Sequence, residues 1–164
     1  MDRKVSMGDL FGGETEGGWL NMPRAGLSDQ VEVDIGVVGI GSATPYPVGS
    51  YCHDAPSAIR AARSWPTILE QHDFDLFDAV PSEGVIPPGV SVADFGDLDV
   101  AADAAPDVTE GNRRRIREAV TSMLDSGTRP FVLGGDDSVP IPVLESYCGF
   151  AGGPISILQI DAHI

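Results

Sequence analysis

The chain is short of positive charge. Ten Lys and Arg face 25 Asp and Glu, for a net charge of −15, and Lys4 is the only lysine. A nucleic acid or an anionic membrane surface would be repelled by that balance, so neither is expected as a partner. A small cation or a divalent metal ion is compatible with it. No apolar run approaches the roughly 18 residues that cross a bilayer. The first ten residues lack the basic-then-apolar order of an export signal, and a cytoplasmic location is the expectation. Cysteine is scarce too. Cys52 and Cys148 lie far apart, outside any C-x-x-C or zinc-like spacing, and are expected as free thiols. There is no internal repeat and no low-complexity tract.

What is present suits one soluble domain. The 164 residues are 42% hydrophobic and 21% charged, enough for a sizeable core. Residues 1–30 are rich in glycine and polar residues and read as an extended arm. Residues 33–40 (VDIGVVGI) form a β-branched run closed by Gly41 and read as a buried strand. Asp54 can cap a short helix with Pro56 in its first turn, stopped by Pro66. Residues 90–95 (VSVADF) read as a second strand. A helix is expected over 108–126, with Asp107 and Glu110 as a capping-box-like pair and Gly127 as its stop. Its apolar face is Ile116, Ala119, Val120, Met123 and Leu124. Arg113, Arg114, Arg115 and Arg117 read as a solvated face. A third strand over 131–133, a short helix over 138–147 and a fourth strand over 155–160 (ISILQI) complete the pattern. Strand and helix alternate throughout, which predicts an α/β domain with a mainly parallel sheet.

In such sheets ligands gather at the carboxyl ends of the strands. Acids stand at three of the four expected ends: Asp94-Phe95-Gly96-Asp97, Gly134-Gly135-Asp136-Asp137-Ser138, and Asp161-Ala162-His163. Residues two apart on an extended backbone share a side, so Asp161 and His163 can converge on a metal. A capping Asp beside a loop His is the competing reading, and spacing alone does not choose. In the Gly134–Ser138 loop, paired glycines allow a sharp turn, and at most one of the two adjacent acids can face a shared site. A helix N-terminus, with Ser138 as its cap, would favour the same acids.

Together the two motifs are specific. Strand, GGDDS, helix, strand, DAH resembles the ureohydrolase (arginase/agmatinase) family, in which one strand ends in GGDHS and the next in DAHxD. DAPSAIR at residues 54–60 resembles the family's G-P-x-A-I-R, DFGD at 94–97 its D-x-G-D, and residues 39–44 its G-x-P stretch. The likeness spans residues 33–164.

The resemblance implies a three-layer α/β/α, arginase-like fold with a mainly parallel sheet, here incomplete. Residues 1–30 would be the arm, and 31–164 the N-terminal portion of the catalytic domain. The second Asp of DAHxD would be residue 165, and the family's later D-x-D is absent, so the chain is expected to stop inside its metal motif and to be inactive alone. By the same resemblance the complete site holds two Mn2+ ions. Asp161 would bridge them, and His163 would ligate one. Asp137 stands where the family has histidine and is expected to remain a ligand. Asp136 would hold ligands or backbone in place rather than metal. The implied reaction is hydrolysis of a cationic guanidino compound with release of urea, first of all agmatine to putrescine. Guanidinobutyrase, arginase or formimidoylglutamase activity is the alternative within the class, and a homo-oligomer is expected of the intact protein. Two other classes stay open: a non-catalytic pseudo-enzyme, suggested by Asp137, and a dinucleotide or phosphate binder built on Gly39-x-Gly41. The second lacks the third glycine of its motif, since Thr44 stands there.

Overall fold

A computed structural model describes residues 18–19, 22–29, 31–44, 47, 49–62 and 89–161. Three parallel strands form its sheet: β1 (Ile35–Ile40), β2 (Val92–Asp97) and β3 (Arg129–Gly134), in the order β2-β1-β3. Helix α1 (Ala55–Ala62) follows β1, α2 (Pro106–Asp125) follows β2, and α3 (Pro140–Ala151) follows β3. The expected alternation is therefore present through α3.

Alternation along β1 sorts the two faces. Val38 and Ile40 pack with Ile116, Val120, Met123 and Leu124 of α2 and with Val139. Gly36 points the same way, and a side chain there would strike Phe95, Met123 and Thr128. Val37 faces the other side, in a smaller core with Val92, Leu133 and Met22. Gly39 also points to that side, where α1 lies so close that a Cβ would meet Pro56 and Arg60. Helices thus cover both faces, as a parallel sheet requires.

The described part of the expected arm, residues 18–19 and 22–29, packs against the sheet; the rest of residues 1–30 lies outside the described residues. Pro23 O accepts from Asp94 N at 2.9 Å, and Ala25 N donates to Asp94 O at 3.0 Å, so this stretch borders β2. Met22 is buried, and the Trp19 ring stacks on Phe131 at 6.2 Å. Burying these side chains fills the face that α1 leaves open.

Three expectations need correction. Helix α2 starts at Pro106, with Ala105 as an extended N-cap making no side-chain cap bond. Proline suits that first position because its missing N–H has no partner to lose. Asp107 falls inside the first turn, and Glu110 pairs with Arg117 at 2.9 Å instead of reaching back. Second, the arginines are not all solvated: Arg113 Nε donates to Thr44 Oγ1 at 2.8 Å, and Arg117 also holds Glu145 at 3.0 Å. Third, residues 155–160 are not a strand. They run past the tip of β3 without joining its ladder, and Ile157, Leu158 and Ile160 are 61%, 88% and 92% exposed. Apolar β-formers stay a strand only where a neighbouring ladder and a covered face hold them.

The helix stop is as expected. Gly127 has φ +81, its N–H bonds Leu124 O at 3.0 Å, and Thr128 N reaches Met123 O at 2.9 Å. Cys52 and Cys148 are free thiols. No helix of the described residues is long and apolar enough to cross a membrane.

Candidate metal centre

The carboxyl ends of β1 and β3 lie against each other. Gly135 N donates to Ile40 O at 2.9 Å, carrying the parallel ladder one residue past β3. The approach is so close that a Cβ on Gly135 would overlap the Gly41 carbonyl. Here Gly135 serves contact between two strand tips, not only a turn.

The two acids after the glycine doublet stand in opposite surroundings. Asp136 is buried. Its Oδ1 accepts from Ser138 N at 3.1 Å and from Ser138 Oγ. Its Oδ2 accepts from Ser42 Oγ at 3.1 Å and from Ser50 Oγ at 3.3 Å. Asp137, one residue on, is exposed. Ser138 does not cap α3; the N-cap is Val139, with no side-chain bond. Its hydroxyl oxygen instead accepts from Ala43 N at 3.2 Å and Thr44 N at 2.8 Å.

Asp136 and Asp137 line a cavity of about 550 Å³ whose far wall is residues 157–161, Asp161 included. Gln159 Nε2 donates to Asp161 Oδ2 at 2.9 Å. Two expected ligands, Asp137 and Asp161, therefore share one cavity. His163 lies outside the described residues. Among those residues no three His, Cys, Asp or Glu come together as a metal-holding group. The donor chemistry itself fits manganese, which favours carboxylate oxygens. Sequence reading missed Ser42, Ser50 and Gln159; serine and glutamine in loops carry no local signal of the acid they will meet.

A second cluster stands at the β2 tip. Arg60 of α1 donates to Asp94 Oδ2 at 3.1 Å and Oδ1 at 2.9 Å, to Gly96 O at 3.0 Å, and to Asp97. Trp19 N reaches Asp94 Oδ2 at 2.7 Å. Burial pushes the Asp94 carboxyl up, but Arg60 and the N–H groups of Trp19 and Gly96 outweigh it, and the net direction is down. The expected DAPSAIR and DFGD motifs are thus one interlocked unit, with Ser57 Oγ on Asp97 Oδ2 at 2.7 Å. Its cation and its acids are spent on each other. Next to β1, a Cβ on Gly41 would overlap the His53 carbonyl, so Gly39 and Gly41 both serve close packing. His53 Nδ1 is buried without a hydrogen-bond partner.

Residues 33–164 match the model of the Arginase family. The chain belongs to that family. The human mitochondrial guanidino acid hydrolase is 33% identical over 103 residues, which cover 62% of this chain and 28% of that protein. The agmatinase of Chromobacterium violaceum is 29% identical over 168 aligned positions, covering 99% of this chain and 48% of that protein. Among solved structures, that of a hypothetical agmatinase from Burkholderia thailandensis superposes with a TM-score of 0.63 at 28% identity, over 89% of this chain and 42% of that one. The formimidoylglutamase of Bacillus subtilis superposes with a TM-score of 0.51 at 18% identity, over 77% and 38%, and speaks for the fold alone. The arginase-like α/β fold expected from the motifs is the one present, and the chain spans less than half the length of these relatives.

Proposed function

We propose that the chain carries part of the active site of a manganese-dependent guanidino hydrolase that splits agmatine with water into putrescine and urea. One observation carries the reading: in an arginase-family chain, Asp137 and Asp161 line the same cavity at the end of the sheet. The relatives' names, agmatinase and guanidino acid hydrolase, support guanidino chemistry. Asp137, Asp161 and His163 would hold the metal, with Asp136 kept from it by its four hydrogen bonds. A bound metal pair supplies Lewis acidity and a water acidic enough to attack near neutral pH, which the resonance-stabilised guanidinium demands. The protein's own contribution is negative charge: carboxylates around the cavity attract a cationic substrate and disfavour an anionic one.

The test is the full-length gene product with Mn2+ and a panel of agmatine, guanidinobutyrate, arginine and formimidoylglutamate. Urea from agmatine is expected, lost on chelation and restored by Mn2+. Asp137→Ala is expected to lower Mn2+ affinity about 10-fold or more. Urea from guanidinobutyrate or arginine instead would move the substrate within the class. No hydrolysis of any of the four would remove the reading. The presence of Asp137 where the family pattern has histidine favours one other outcome, a member that binds Mn2+ without turnover.

A further inference from the structure

We propose that Ser42 and Ser138 are positioning residues that act through Asp136 to fix the backbone carrying Asp137. The functional meaning rests on Asp137 being a metal ligand, as read above. The argument begins with valence. An ionised carboxylate offers about four acceptor positions. Asp136 fills four, with Ser138 N, Ser138 Oγ, Ser42 Oγ and Ser50 Oγ. Nothing is left for an ion, in keeping with the reading above, in which the exposed Asp137 is the ligand of the pair. A hydroxyl offers one donor and two acceptor positions. Ser138 uses all three: it donates to Asp136 and accepts from Ala43 N and Thr44 N.

The result is a closed latch between the β1 and β3 tips. From the β1 side, the Ser42 side chain reaches Asp136, and the Ala43 and Thr44 amides reach Ser138. Asp137 is the residue between the two pinned ones, and it lines the cavity together with Asp136. Pinning both neighbours removes backbone freedom that metal binding would otherwise have to remove. That ordering cost is met on folding, so a ligand held this way binds more tightly than one on a loose loop. Ser42 and Ser138 are buried, and the hydroxyls within the network bring no cation to oppose the metal.

The experiment uses the full chain and the variants Ser42→Ala and Ser138→Ala, with Val92→Ala as a control. That control destabilises the smaller core on the sheet's other face, where Val92 pairs with Ile35 at the strand starts. Two readouts are taken: amide hydrogen exchange over residues 135–139 without metal, and Mn2+ affinity by electron paramagnetic resonance. Both serine variants should speed exchange across 135–139 well beyond the control and weaken Mn2+ binding about 10-fold. Unchanged exchange over those residues would overturn the latch. If Mn2+ binds and depends on Asp137, yet both serine variants bind it as the parent does, positioning is refuted while the metal reading stands. If the parent binds no Mn2+, the metal reading fails, and the positioning role falls with it even where exchange responds.

Discussion

Asp94 ties the arm and α1 to the tip of β2. Only 4% exposed, it accepts from Arg60 of α1, from Trp19 of the arm and from Gly96 of its own strand tip. Burial by itself would favour the neutral acid, but the guanidinium and the two amides prevail and depress its folded pKa. A depressed carboxylate contributes stability above the ordinary aspartate range and loses it as pH falls through the folded value. Asp94→Asn removes that linkage and also leaves Arg60, 16% exposed, without this anion. The variant is expected to be less stable at pH 7 by on the order of 3 kcal/mol. That gap should be smaller at pH 3, below the ordinary aspartate range, where the parent's unfolded chain takes up a proton that its depressed folded carboxylate resists. Thermal unfolding of both proteins at the two pH values checks it; a gap of constant size would refute the assigned role.

At the scale of elements, local pattern was enough for much of the fold. The apolar positions Ile116, Val120, Met123 and Leu124 marked the buried face of α2, and Gly127 its end. The run over β1 and the GGDDS turn were equally plain. What escaped were features made by distant contacts. Asp136 meets Ser42 94 positions away, and no neighbour of either residue announces it. Asn112 sits on the buried face of α2 because its amide bonds both the N–H and the carbonyl of Ala101, at 2.9 and 2.8 Å. The strand expected at 155–160 failed for a related reason: β-propensity cannot supply the partner that makes a ladder. The site was legible as motif residues and not as a network. Gly135 shows how closely the elements depend on one another. A methyl there would overlap the Gly41 carbonyl, and neither partner is a side chain that can rotate away. Gly135→Ala is expected to cost on the order of 3 kcal/mol by forcing the β1 and β3 tips apart. Gly127→Ala has open space and pays only for its positive φ, about 1 kcal/mol. Denaturant titrations should rank them so, and Gly135→Ala proving the milder would refute the close docking.

At the largest scale, the two edges of the sheet differ among the described residues. On one side of the sheet, β2 is bordered by the arm through Pro23 and Ala25. On the other, no strand pairs with β3 among the described residues, and Ile157, Leu158 and Ile160 stand exposed beside its tip. Two forces then compete between copies of residues 1–164. Apolar surface favours association at roughly 25 cal/mol per Å² buried. A net charge of −15 opposes it over a range that salt shortens, from about 30 Å at 0.01 M to about 10 Å at 0.1 M. Attraction through the apolar segment is short-ranged and survives screening; the repulsion does not. Self-association should therefore grow with salt, opposite to the response of an assembly held by ion pairs. Replacing Leu158 and Ile160 with serine together keeps the net charge and removes the attraction, so the variant should stay monomeric at both salt levels. Its melting temperature should match the parent's, because both side chains are almost fully solvated already. Sedimentation velocity at 0.01 M and 0.1 M salt separates the cases. Equal association by parent and double variant would show that the apolar segment beside β3 is not what brings copies together.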